Sequence, residues 1–400
     1  MLSNLTLTFP NFNIYSTPLL ILALQGLIFA ALLFGKYRKL KSIPYFILAF
    51  ILLITCYHRT TYTIGFMDWY DTYRNTKINY YLVNLELILI PLIYFYVKSI
   101  TTSDFKFRRV HLWHFVPGIL YFLIKMFILA YDASQPGFHE TQNGYLVQNF
   151  QWKYLDPFYG VLSNAQTIVY LVLSLQLYYV YRKSIEQYFS NTYRLELNWI
   201  RNFLLIYAVL FLYGLGQTVV NLAITELSWT QKWWLQFFNA LAIIYVGVTG
   251  YFTDTDRLKG LGFDARFITK SQFLEVGSKR IKDKTSSEIE EKAAILTSYF
   301  ERERPYLDPD LNLIALSERL QMSRAEVSGV INEGFGKNFN DYVNSYRVEA
   351  VKKMLSEGKQ DQLSLLGIAL ECGFNSKATF NRVFKKITQQ SPTQYLNSLA

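Results

Sequence analysis

Two short stretches near the C-terminus carry side chains able to read the edge of a nucleic-acid base. Residues 376–386 run Ser-Lys-Ala-Thr-Phe-Asn-Arg-Val-Phe-Lys-Lys. On a helix of 3.6 residues per turn, Lys377, Asn381 and Arg382 face outward while Phe380 and Phe384 face a core. A guanidinium or ammonium group pairs with guanine O6 and N7, and a carboxamide with adenine N6 and N7, at about 1–3 kcal/mol of discrimination each. Ser376 and Lys385 flank that face at positions suited to phosphate. Residues 323–332 share the layout with weaker chemistry: Ala325, Ser328 and Gly329 face outward, flanked by Arg324 and Asn332.

Helices must hold those faces out. Before the first stretch lies 312–320, Asn-Leu-Ile-Ala-Leu-Ser-Glu-Arg-Leu, then a short break at Gln321 and Met322. Ser323 and Glu326 have the capping-box spacing that starts a helix. Two short helices around a tight turn suggest a helix-turn-helix, although many helical hairpins share that outline. The outline then recurs: 365–372 is followed by Gly373, Phe374 and Asn375 and by the 376–386 helix. A duplicated unit is a far more specific signal than one copy. Between the units a longer helix, 341–355, ends before Gly358. Ahead of both, Ser287 and Glu290 open an amphipathic stretch that buries Ala293, Ile295, Leu296, Tyr299 and Phe300 mostly on one face.

On these residues, positions 305–399 resemble the DNA-binding domain of the AraC/XylS family of transcription regulators, over about a quarter of the chain. The resemblance rests on 316–320, Met322 and Ser323, Arg347 with Ala350 and Leu355, and Ile368 with Ala369. It continues through Gly373 and Phe374, Ser376, Phe380, Arg382, Phe384 and Lys385, and Ser391 and Pro392 with Tyr395. It implies two helix-turn-helix subdomains, joined by the 341–355 helix, that enter successive major grooves about 34 Å apart. The expected DNA-binding residues are Ser376, Lys377, Asn381, Arg382 and Lys385 in the second unit and Arg324, Ser328 and Asn332 in the first. The family often has a basic residue where Gly329 stands, so this chain departs from the pattern there. Charge agrees: 286–334 hold 5 basic and 10 acidic side chains, and 335–400 hold 9 and 5. The second unit should therefore dominate phosphate attraction, and the first should position, dimerise or meet a partner. Arg347 is expected in an intradomain salt bridge.

The rest of the chain has a different solvent. Of 400 residues, 51% are hydrophobic and 18% charged, which excludes a disordered chain and argues against an ordinary soluble enzyme. Cys56 and Cys372 are too few and too far apart for a disulfide scaffold, and an unpaired Cys372 suits a reducing cytosol. Residues 1–251 hold 18 basic and 10 acidic side chains, against 22 and 20 in 252–400. Apolar stretches fall at 18–34, 45–57, 80–97, 113–131, 159–181, 203–224 and 233–251, most of them near the ~20 residues that cross a bilayer. The second is the weakest, since His58 and Arg59 close it early, so six spans is the fallback. Nothing basic precedes the first stretch, which is not the layout of a signal peptide.

Loop charges orient the spans. Loop 1–2 has Lys36, Arg38, Lys39 and Lys41, loop 3–4 has Lys98, Lys106, Arg108 and Arg109, and loop 5–6 has Arg182, Lys183, Arg194 and Arg201. The opposite side holds Arg59, Arg74 and Lys77, then Lys153, then Lys232. By the positive-inside rule the N-terminus is outside and the chain beyond 252 is cytoplasmic. The expected location is the bacterial inner (cytoplasmic) membrane.

Polar residues inside the spans gather in the outer halves. Glu86, Lys125, Asn164, Gln166, Gln217, Asn221 and Asn239 form a candidate sensor pocket, with Glu86 and Lys125 at one depth and expected to pair. The plainer reading is interhelical glue at about 0.6 kcal/mol per contact. Pro91, Pro117, Gly214, Gly216, Gly247 and Gly250 offer points of helix adjustment. The inner halves lack the polar lining that conduction would need.

No catalytic constellation, metal-ligand cluster or cofactor motif is visible; His111 and His114 could share a helix face but have no partner carboxylate or thiol. The expected fold is all-α: a seven-helix transmembrane bundle over 1–251, a linker at 252–285 with a basic run from Lys279 to Lys284, and a cytosolic seven-helix domain over 286–400. The expected function is a membrane-integrated one-component transcription regulator. Its expected partners are promoter DNA, the lipid bilayer, an external ligand, a second copy of the chain and RNA polymerase. The rival is a transporter or other membrane protein whose helix-turn-helix tail is regulatory.

Overall fold

The computed structural model describes residues 9–75, 77, 83–103, 105–139, 142–193, 195–255 and 285–399. Among them the chain is all-helical, with fifteen α-helices and no strand beyond isolated bridges. It divides into two compact units, Met1–Tyr178 with Asn198–Phe263, and Tyr179–Leu197 with Asp264–Ala400. The tether expected at 252–285, with its basic run, lies almost wholly outside the described residues.

The first unit is built from seven apolar helices: Ser16–Leu40, Ile43–Phe66, Glu86–Thr101, Val116–Ser134, the first part of Asp156–Tyr188, Asn198–Ala223 and Trp229–Phe252. Six helical segments are long and apolar enough to cross a membrane by length and composition. The doubtful member is not the one expected. The second helix runs 24 residues to Phe66, because Thr60, Thr61, Tyr62 and Thr63 continue its period past Arg59. The third runs only 16 residues, about 24 Å at 1.5 Å per residue, against a hydrocarbon core of about 30 Å. Most of its side chains are buried by its neighbours, and His58 Nε2 accepts the Leu85 N–H (2.8 Å) at its start.

Close approach fixes part of this packing. A Cβ on Gly26 would meet Cys56 Sγ and Ile243 Cγ2 at 2.5 Å each, so helices one, two and seven meet at a residue without a side chain. Elsewhere the unit presents apolar side chains outward, as at Val161 (72% exposed) and Leu222 (81%).

The second unit has the reverse polarity, with two apolar cores and a charged surface. Leu296, Phe300, Leu311, Leu316, Val327 and Ile331 surround the first helix-turn-helix. Ile368, Ala369, Phe374, Phe380, Val383 and Phe384 surround the second. The helix Phe339–Ser356 serves both: Phe339, Tyr342 and Val343 enter the first core, and Val348, Val351 and Leu355 the second.

Candidate nucleic-acid interface and candidate ligand cavity

Capping sets where each helix of the two units begins. Asn312 accepts the Ala315 N–H (3.0 Å) to start Leu313–Leu320, which ends at Gln321 in the left-handed region (φ 54°). Ser323 accepts the Glu326 N–H (3.2 Å) while Glu326 accepts the Ser323 N–H (2.9 Å), so the capping box forms and opens Arg324–Gly329. Residues Val330–Gly334 continue as a π turn. In the second unit Ser364 caps Leu365–Glu371 by accepting the Gly367 N–H (3.1 Å), and Ser376 caps Lys377–Thr388 by accepting the Thr379 N–H (3.2 Å).

Residues of Lys377–Thr388 divide cleanly. Thr379, Phe380, Val383 and Phe384 are buried, and Lys377, Asn381, Arg382, Lys385 and Lys386 are exposed on one stripe. That stripe holds four of the five expected DNA-binding residues of this unit, with the fifth, Ser376, at its cap. Lys386 is tied back to Asp341 (2.6 Å), and Arg382 pairs with Glu196 (3.2 Å), a residue for which the sequence offered no role.

On the first helix-turn-helix Arg324 and Asn332 are exposed and Ser328 is half-buried, with Asn332 Nδ2 donating to Ser328 Oγ (3.2 Å). Lys292 joins Glu288 (2.9 Å) and Glu326 (3.1 Å), which lays carboxylates beside this face. Its hydrogen bonds to Ser323 and the Lys292 ammonium hold the Glu326 carboxyl down at about 2. Arg347 departs from expectation. Among the described residues it makes no carboxylate pair. Its guanidinium is buried and donates to the Tyr306 and Asp308 carbonyls (2.8 Å each), to Asn344 Oδ1 (3.3 Å) and to Ser190. The Asp308 carboxylate is instead engaged by Arg319 (3.4 Å). Burial pushes the Arg347 guanidinium down to about 10, against the fields of Asp308 and Asp310.

The first unit contains a cavity of about 540 Å³ bounded by helices two, three, five, six and seven. Of the seven expected pocket residues, Glu86, Asn164 and Asn239 line it. The others have local duties. Gln166 donates to the Leu87 carbonyl (3.3 Å), Gln217 to the Gln231 carbonyl (3.4 Å), and Asn221 Oδ1 accepts the Leu227 N–H (3.0 Å). The Glu86–Lys125 pair does not form. Lys125 lies on a buried stripe with Tyr121, Ile128 and Asp132, and the carboxylate whose field reaches it is Asp156. Glu86 feels Arg59 instead.

Arg59 is the residue that sequence reasoning put on the wrong side of a boundary. It lies inside the second helix and lines the cavity with His58 and Gln236, donating through Nη1 to Gln236 Oε1, while its buried Nε has no hydrogen-bond partner among the described residues. Lys77, also assigned to an outer loop, is buried and donates to the Gln135 and Gly137 carbonyls (2.8 and 2.7 Å). The helical period continuing to Gly65 was the available signal for Arg59.

Residues 316–398 match a family model described as a helix-turn-helix domain. An uncharacterized HTH-type transcriptional regulator of Staphylococcus aureus (strain COL) is 37% identical over 86 residues, 22% of this chain and 11% of that protein. Another, of Haemophilus influenzae, is 35% identical over 91 residues, 23% of this chain and 30% of that protein. The chain thus matches a ninth to a third of the length of these relatives. No solved structure matches it.

Proposed function

We propose that this chain is a membrane-integrated one-component transcription regulator that reads promoter DNA chiefly through its second recognition helix. The observation that carries the reading is the exposed stripe of Lys377, Asn381, Arg382 and Lys385 on a helix capped by Ser376, within residues that match a helix-turn-helix domain. Arg382, Lys377 and Asn381 contact base edges, and Ser376 and Lys385 contact phosphate. Arg324, Ser328 and Asn332 of the first helix-turn-helix contribute less, because residues 286–334 carry 10 acidic against 5 basic side chains.

The outward apolar surface and six span-length helices support residence in a bilayer, and the basic loops support an external N-terminus with the second unit in the cytoplasm. The polar cavity supports signal sensing, with Arg59, Glu86, Asn164, Gln236 and Asn239 as the groups that meet a ligand. A ligand acts only if it binds two states of the helices unequally.

The test uses the full chain in lipid nanodiscs to enrich a random duplex library. Recovery of a consensus sequence is expected. Arg382→Ala should weaken the enriched duplex by about 1–3 kcal/mol and relax the preference at one position. Lys385→Ala should weaken all duplexes alike and lower the salt slope by about 1. Failure to enrich any sequence would overturn the proposal.

A further inference from the structure

The segment between the fifth and sixth apolar helices is built into the same compact unit as the helix-turn-helix pair. Ser190 is fully buried there. Its N–H donates to the Leu311 carbonyl (3.2 Å), and its carbonyl accepts from Asn340 (2.9 Å), Asn344 (3.3 Å) and Arg347 (3.3 Å). Its hydroxyl accepts from Arg347 as well (3.0 Å). Phe189 forms an antiparallel bridge with Asn312, and Tyr188 packs on the first core. The segment therefore lies along the helix shared by both cores, at the very arginine that stands between them.

Six residues further on, this strap reaches the reading face. Glu196 is 8% exposed and holds two arginines at once, Arg182 through Oε2 (3.1 Å) and Arg382 through Oε1 (3.2 Å). Thr192 Oγ1 donates to the same Oε1 (3.2 Å), and the Tyr181 hydroxyl donates to the Leu195 carbonyl (2.6 Å), so the carboxylate is placed by its own segment. The Arg382 side chain remains 55% exposed, so the contact is on the surface that DNA would occupy.

We propose that residues 188–196 are an autoinhibitory strap: Glu196 occupies Arg382 and must release it before the second recognition helix can dock in a major groove. The proposal rests on the DNA-reading role of that helix. The Glu196 contact takes Arg382 Nη2 (3.2 Å), which belongs to both guanidinium edges able to pair with guanine O6 and N7, so the two contacts compete. A carboxylate left at that face also repels the phosphates that Lys377 and Lys385 attract. The strap joins helices Asp156–Tyr188 and Asn198–Ala223, which supply Asn164, Phe203 and Tyr207 to the cavity lining. A shift of either helix thus acts directly on the strap. Reciprocally, DNA bound to the second unit favours the released strap and the cavity state that goes with it.

The experiment measures affinity of the full chain in lipid nanodiscs for the duplex it enriches, in a double-mutant cycle of Glu196→Gln and Arg382→Ala. Glu196→Gln should tighten binding about threefold to tenfold, and most of that gain should be lost in the Arg382→Ala background, leaving only the relief of phosphate repulsion. Glu196→Lys should exceed Glu196→Gln. Thr192→Val, which replaces only the hydroxyl that steadies the carboxylate with a methyl group, should give a smaller gain and serves if Glu196→Gln fails to fold. Unchanged or weaker binding by these variants, while wild type binds and Arg382→Ala weakens it, would overturn the strap alone. Absence of any enriched duplex would overturn the DNA-reading role and the strap with it.

Discussion

Two glycines of the helix-turn-helix pair, one in the turn of the second and one in the recognition helix of the first, have opposite requirements. Gly373, in the turn of the second unit, has φ +87°, and a Cβ there would collide with the Tyr306 carbonyl and lie 3.0 Å from Arg347 Nε and the Leu307 carbonyl. Left-handed backbone costs a non-glycine residue about 1–2 kcal/mol, and here the collision is with backbone that cannot step aside. Gly373→Ala should therefore cost about 2–4 kcal/mol, seen as a lower thermal unfolding midpoint of the second unit. Gly329 is helical (φ −61°, ψ −49°), and a Cβ there meets nothing within 4 Å. Gly329→Ala should be neutral or stabilising by up to about 1 kcal/mol in the same measurement. The glycine at 329 was visible in sequence as a departure from the family pattern. Why 373 must be glycine was not, since the colliding carbonyls lie more than sixty positions upstream.

At the scale of elements, the capping box of the first recognition helix makes a pH prediction. Hydrogen bonds from the Ser323 backbone and hydroxyl, then the Lys292 ammonium, hold Glu326 at about 2, below its ordinary 4.5. A carboxyl depressed by folding contributes stability that is present above its unfolded value and lost as pH falls toward the folded one. The helicity of the first unit should therefore decline between pH 4.5 and about 2 by an increment that Glu326→Gln removes; circular dichroism of both proteins through an acid titration checks it. Ser323 with Glu326 was legible because capping is local, set by three residues of spacing. The length of the helix ending at Phe66 was less legible. His58 and Arg59 read as a loop while their solvent was taken to be water or lipid, and they stay helical because they face a polar cavity. The third helix erred the other way, its apolar run being longer in sequence than the 16 helical residues.

For the whole molecule, the two polar clusters within the first unit should respond differently to substitution. Glu86 and Asn239 face the cavity, whereas Lys125 is 4% exposed beside Tyr121 and Asp132. Glu86→Gln and Asn239→Ala should change transcription from a reporter carrying the enriched duplex while the amount of membrane-inserted protein stays near wild type. Lys125→Ala truncates a buried side chain on the stripe with Tyr121, Ile128 and Asp132 and should lower the inserted amount itself. Immunoblots of the membrane fraction, read alongside reporter output, separate the two results. Loss of inserted protein on changing Glu86 would assign the cavity residues to folding instead of sensing.

Periodicity and composition alone determined that the described residues fold as helices without sheets, with an apolar part before a charged one, and that the C-terminal part repeats a helix-turn-helix. Those features are local: capping, amphipathic spacing and the solvent of each helix are written within one turn of each residue. Tertiary structure decided which charges face each other. It put Arg59, not Lys125, in the cavity lining with Glu86, gave Arg347 carbonyls in place of a carboxylate, and brought Glu196 to Arg382 across 186 positions. Charge pairing depends on distance in space, falling off as its inverse, and sequence separation carries almost none of that information.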